Sequence, residues 1–141
     1  MSNIEPTGRA TVLVCITCRT AAALAQVGAV DSAAPEPPRA GLLLANATAA
    51  AAANASDISV QRIRCLGNCG RGLSAAIRCD NAWTYVFGGL DASRDGLTLI
   101  AGARLLAAAA DGIMPWRDRP EPLKRGLIAR IPPTHFREES A

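Results

Sequence analysis

Two strand-like segments in this chain each empty into a pair of cysteines, and that arrangement restricts the fold more than any other feature. The first, Ala10-Thr11-Val12-Leu13-Val14, leads into Cys15-x2-Cys18; the second, from Ile58 onward, leads into Cys65-x3-Cys69. The first is apolar and β-branched and reads as a buried strand, and Ile58 to Cys65 reads as a second strand. The segment between them has room for a helical crossover, and such crossovers join parallel strands. Parallel neighbours end at one edge of a sheet. The two cysteine pairs are therefore expected side by side, although residues 19–64 separate them in sequence.

The remaining segments fit a small α+β fold. Residues 19–38 are rich in Ala and Pro and read as loop, while Pro38 to Ala53 is helix-forming, with Pro38 suited to a first turn. Leu73 to Cys79 and Ala82 to Phe87 read as an antiparallel pair joined by Asp80-Asn81, a turn that tolerates positive φ. Asp91-Ala92-Ser93 caps a second helix from about Arg94 to Ala110, whose expected buried stripe is Leu97, Ile100, Ala101, Leu105 and Ala108. The order β-α-β-β-β-α, a sheet of about four strands with covering helices, is thioredoxin-like. The chain divides into an N-terminal tail (1–9), this domain (10–115) and a Pro-rich C-terminal strap or tail (116–141). In the last, Leu123, Leu127, Ile128 and Ile131 are placed to hold the sheet or a second subunit.

Four cysteines on two loops form a metal-binding set. The second loop, Cys65-Leu66-Gly67-Asn68-Cys69-Gly70-Arg71-Gly72, is rich in glycine, which accepts positive φ and lets backbone N–H groups aim at the sulfurs of an inorganic cluster. Gly67 and Gly70 thus join Cys15, Cys18, Cys65 and Cys69 as candidate cofactor-binding residues. Each iron of a [2Fe–2S] cluster takes two thiolates, which suits two cysteine pairs; a tetrahedral zinc site is the alternative. Cys79 alternates with Leu73, Ala75 and Ile77 on one strand face and reads as a core thiol, its other possible role being to replace Cys18 as a ligand. A thiol–disulfide exchange role for Cys15 and Cys18 leaves Cys65 and Cys69 without a task. Trp83, Tyr85 and Phe87 also alternate, and read as packing before partner docking.

Composition narrows the function classes. A net charge of +3 and a single histidine, His135, give little reason to expect a nucleic-acid partner. No apolar run approaches the roughly 18 to 20 residues of a spanning helix, and the N-terminus lacks a leader pattern, so no membrane and a reducing cytoplasm are expected. No P-loop lysine and no nucleophile–histidine or paired-carboxylate motif points to hydrolysis, which leaves a non-enzymatic electron carrier ahead of an enzyme. Arg19, Arg62, Arg64, Arg71 and Arg78 lie near the cysteine loops in sequence. They form either a solvated rim or an electropositive collar for an acidic redox partner.

The Cys-Leu-Gly-x-Cys loop after a strand, with an earlier cysteine pair after the first strand, resembles the thioredoxin-like [2Fe–2S] ferredoxins. Among these is the small cluster-bearing subunit of the NADH dehydrogenase complex, and this chain departs from them in the tighter spacing of its first two cysteines. Five further segments, Cys-Ile-Thr-Cys-Arg at 15–19, Cys-Leu-Gly-Asn-Cys at 65–69, Trp-Thr-Tyr-Val-Phe-Gly at 83–88, Asp-Gly-Ile-Met-Pro-Trp-Arg at 111–117 and Ala-Arg-Ile-Pro-Pro at 129–133, carry a closer likeness. They resemble a bacterial family of predicted metal-binding proteins often encoded among cobalamin-biosynthesis genes. The resemblance implies Cys15, Cys18, Cys65 and Cys69 as cluster ligands, corrinoid metabolism as the setting with a corrinoid-pathway enzyme as partner, and a homodimer; the arginine collar is what suits an acidic reductase.

Overall fold

The computed structural model describes residues 9–19 and 38–140. The expected tail at 1–9 and loop at 19–38 lie, apart from their ends, outside the described residues. Strand β1 (Ala10–Cys15) is central: it pairs in parallel with β2 (Ile58–Ile63) and antiparallel with β3 (Leu73–Cys79). β4 (Thr84–Leu90) follows β3 through a tight turn in which Asn81 takes φ 65°, as the Asp80-Asn81 pair requires. With β5 (Leu127–Ile131), the sheet among the described residues has five strands in the order β2-β1-β3-β4-β5, an α+β arrangement compatible with a thioredoxin-like fold.

Register sets which residues form the core. Val12, Ile77 and Tyr85 lie opposite one another, as do Val14, Ala75 and Phe87, and all six are fully buried. Tyr85 and Phe87 stack with ring centroids 6.3 Å apart, so both belong to packing, while Trp83 is half-buried at the strand's entrance. Helices α1 (Ala40–Ala51) and α2 (Asp95–Ala108) pack on each other and on β1 and β3. Thr48, buried on α1, back-bonds its hydroxyl to the carbonyl of Leu44 at 2.7 Å, which satisfies the one polar group that face buries.

Three expectations change. The strand count rises from about four to five, because Leu127–Ile131 forms β5 and pairs antiparallel with β4. Prolines explain the position: Pro120 and Pro122 confine α3 to Glu121–Arg125, Pro132 and Pro133 end the pairing, and the apolar stretch between them has free amides for β4's open edge. β4 also runs on to Leu90, past the expected Phe87. The third change is the buried face of α2, which is Leu99, Ile100, Ala103 and Leu106; Leu97 is 73% exposed and Ala101 and Ala108 face solvent. Small residues decide this face. A Cβ on Gly96 would lie 2.9 Å from the backbone of Ala47, and one on Gly102 would run into Leu123, so α2 is drawn against α1 and α3 along its glycines.

Candidate metal centre

β1 and β2 end together, and their loops are stitched to each other. Beyond the last register pair, Cys15 with Ile63, the amide of Ile16 still donates to the carbonyl of Ile63 at 2.9 Å. Thr17 donates its hydroxyl to the carbonyl of Arg64, which also accepts from the Cys15 thiol at 3.5 Å. From the other side the amide of Gly41, in the first turn of α1, donates to the carbonyl of Cys18 at 3.0 Å, and Arg39 donates to the carbonyl of Thr17 at 3.0 Å. Gly41 is required there, since a Cβ would collide with the carbonyl of Cys15. The first cysteine loop is thus clamped between the end of β2 and the start of α1, with Cys15 and Cys18 only 1% and 4% exposed.

The second loop is built by its glycines. Gly67, at φ 74°, turns its amide onto the Cys65 sulfur at 3.2 Å. The chain then makes a single 3-10 turn over Cys69–Arg71, and Gly72, at φ 76°, feeds β3. Asn68 ties the loop to the sheet by donating to the Ser74 hydroxyl at 3.0 Å, and that hydroxyl donates to the carbonyl of Gly72. Of the two glycines expected to serve the site, Gly67 has the positive φ and the N–H···S contact; Gly70 has neither, and a Cβ there would meet open space. Gly72 has the conformational role expected of Gly70.

The sulfurs stand as two pairs at one sheet edge. Cys65 and Cys69 are exposed, their sulfurs 3.7 Å apart. Two thiolates sharing one tetrahedral metal with bonds of about 2.3 Å lie about 3.8 Å apart, so this pair has the span of a bidentate metal clamp. Cys15 and Cys18 lie close enough for each thiol to shift the titration of the other. Burial pushes the Cys15 thiol upward, but hydrogen bonds from Cys18, from Thr17 and from the Leu66 amide outweigh it and hold Cys15 below the ordinary range. Burial and the Cys15 neighbour push Cys18 up to about 11. Cys69 is raised first by its hydrogen bond with Cys65 and by that group's charge, and the charge of Cys15 reaches it as well, so the two pairs share one electrostatic site. Among the described residues no group of three or more His, Cys, Asp or Glu is gathered around a single point.

Cys79 lies elsewhere. It is opposite Ala10, at the start of β1, while the other four cysteines follow the ends of β1 and β2. Its thiol is half-buried against the core and raised by burial and by Asp80. The arginine collar is also redrawn: Arg78 sits opposite Thr11 near the far end of β3, and Arg62 is engaged with the Asn46 side chain at 2.9 Å. Thr17, Gly41, Asn68 and Ser74, which hold the loops, were not singled out from sequence. Thr17 and Asn68 lie inside the cysteine motifs and were open to that inference; Gly41 and Ser74 act through tertiary contact alone.

Among the described residues no helix is long and apolar enough to cross a membrane. A family model described as "Protein of unknown function (DUF1636)" matches residues 12–133, a span that holds both cysteine pairs and all five strands except the first two residues of β1. No curated protein and no solved structure matches the chain.

Proposed function

The chain belongs to this DUF1636 family of proteins of unknown function, and from that premise we propose that it is a ferredoxin-like electron-transfer protein holding a [2Fe–2S] cluster on Cys15, Cys18, Cys65 and Cys69. The observation that carries this reading is the pairwise arrangement of the thiols: one pair at a metal-clamp spacing of 3.7 Å, and a second, Cys15 and Cys18, on the neighbouring clamped loop at the same sheet edge. Two thiolates per metal suit a binuclear centre, whereas a single zinc ion draws four donors around one point. When bound, such a cluster supplies a one-electron couple. The chain's own residues then have definite tasks. Gly67 N–H donates to the Cys65 sulfur, and Thr17 and the Leu66 amide stabilise Cys15 as thiolate. The buried first pair keeps water from one side, and the exposed second pair faces a partner.

Partner and setting follow from the same reading. Exposed arginine at the loop favours an acidic reductase, and the resemblance to proteins encoded with cobalamin-biosynthesis genes makes corrinoid metabolism in a reducing cytoplasm the proposed setting. We take the homodimer to close the sheet face of Leu13, Ala76 and Val86, which register places together and on which Leu13 and Val86 are only half-buried.

One observation favours a thiol–disulfide exchange role for the first pair, the lowered Cys15 beside a raised Cys18. Against it, Cys15 is only 1% exposed, which obstructs attack on a bulky disulfide. Single Cys→Ser variants separate the readings. Loss of a ligand at 15, 18, 65 or 69 is expected to lower iron occupancy about tenfold or more, with Cys79→Ser unchanged. Iron retained in Cys65→Ser and Cys69→Ser, with disulfide reductase activity lost only in Cys15→Ser and Cys18→Ser, would replace the electron carrier by the thiol enzyme.

A further inference from the structure

Three arginines far apart in sequence meet beside the second cysteine loop. Arg71 ends the 3-10 turn, Arg94 precedes α2 and Arg125 ends α3, and together they line a cavity of about 270 Å³ whose lining contains no acidic side chain. Its floor is backbone. Gly88 has no room for a Cβ, which would meet Asn68 at 2.8 Å and Arg71 at 3.1 Å, and a Cβ on Gly126 would lie 2.6 Å from the carbonyls of Gly88 and Pro122. The amide of Gly88 donates to the carbonyl of Gly126 at 2.8 Å, which locks the turn before β5 onto β4 and closes the hollow. Asn68 and Arg71 belong to the cysteine loop itself, so cavity and loop share a wall.

The three guanidinium groups are held differently, and each keeps donors for another group. Arg94 is bound to the wholly buried Asp95 at 3.2 Å, and Asp95 also accepts the Asp91 amide at 2.7 Å, so the carboxylate fixes Arg94 at the rim. Arg125 reaches Glu121 at only 3.8 Å, both exposed, a pair too loose and too wet to occupy it. Arg71 is exposed and its side chain has no hydrogen bond or ion pair within the described residues. Asp91, on the adjoining hollow, accepts the amide of Ser93 at 2.8 Å, and its charge reaches Arg94 without an ion-pair contact. Forked planar donors converging on a small concave space match the oxygens of a carboxylate or phosphate.

We propose that this cavity binds a small oxyanion, the carboxylate or phosphate of a low-molecular-weight compound, beside the cysteine loop. The inference does not depend on which metal the cysteines hold. Its size suits inorganic phosphate or a short dicarboxylate better than a protein segment.

The test is titration of the full chain with inorganic phosphate and, separately, with succinate at low ionic strength. Arginine Nε–H shifts of isotope-labelled protein are followed, with calorimetry alongside. Saturable shifts at Arg71, Arg94 and Arg125, absent for Arg62, are expected, and the tighter of the two anions identifies the source. Arg71→Gln and Arg125→Gln should each weaken binding about tenfold or more, as loss of a charge-assisted hydrogen bond implies. The wild-type shifts keep the proposal testable even where a variant folds poorly. Non-saturable shifts, shifts spread over all arginines, or affinities unchanged in both variants would overturn it. A Glu-rich peptide that binds through these arginines while neither small anion does would also overturn it, in favour of a protein partner's side chains.

Discussion

The two ends of the sheet put the same residue type to opposite uses. At the hairpin end, Cys79 is folded into the surroundings that the chain supplies for itself. There the Tyr85 hydroxyl, fully buried, accepts the amide of Met114 at 2.9 Å; Arg119 donates to the Met114 carbonyl at 2.6 Å, and its guanidinium lies 5.3 Å from the Tyr85 ring and 5.0 Å from that of Trp116. The residues between α2 and α3 are thereby tied down, and the thiol has a packing role. At the other end four thiols gather on two loops, two of them exposed, with glycines in positive φ and three arginines around a hollow. The difference is what the chain leaves for something else to complete. A buried polar network, in which among the described residues Arg119 Nε alone lacks a partner, holds the first end together, whereas the second presents exposed soft donors at the spacing of a metal clamp.

The sharpest way to break this comparison is at the closed end. Tyr85→Phe deletes the acceptor of a buried amide and is expected to destabilise the protein by about 1–3 kcal/mol in denaturant unfolding, with metal content per folded chain unchanged. A loss of bound metal in that variant would show that the two ends are one coupled unit.

A smaller effect concerns the open end. Docking of an acidic reductase near exposed Arg71 should slow as salt rises, since exposed charges are screened within roughly 10 Å at 0.1 M. Stopped-flow reduction rates are expected to fall with ionic strength and to lose part of that dependence in Arg71→Glu. Rates indifferent to both would place the partner surface elsewhere.

The smallest effect is titration of Cys79. Its folded pKa is raised from 9.0, so the uncharged thiol is favoured in the fold. The associated stability is present below the unfolded pKa and is lost as pH rises above 9 through the raised value. Wild-type protein should therefore lose slightly more stability than Cys79→Ser between neutral pH and pH values above 9. Parallel pH curves for the two would mean that the thiol is solvated.

How much of this was legible depended on whether the signal was local. β1 and β3 were readable because β-branched apolar runs and turn residues announce strands, and the parallel pairing of β1 with β2 then followed from the crossover between them. The meeting of the two cysteine loops came with that topology. The α2 face was misread because apolar and alanine residues surround the helix, so hydrophobicity ranks no face; the decision lay with Gly96 and Gly102, whose small size matters only once Ala47 and Leu123 are in place. β5 hid between prolines that argued for an irregular strap. Arg94 and Arg125 gave no hint of joining Arg71, because 23 and 54 residues separate them from it (94 − 71 and 125 − 71) and only tertiary packing brings them together.

The central claim, that the two cysteine pairs hold a binuclear iron–sulfur centre, is tested most directly by the visible spectrum and the iron and acid-labile sulfide content of protein purified without oxygen. The account predicts a reddish-brown protein with visible charge-transfer bands, bleached by dithionite, and about two irons and two sulfides per chain. Stoichiometric zinc, with no visible bands after reconstitution with iron and sulfide, would contradict it.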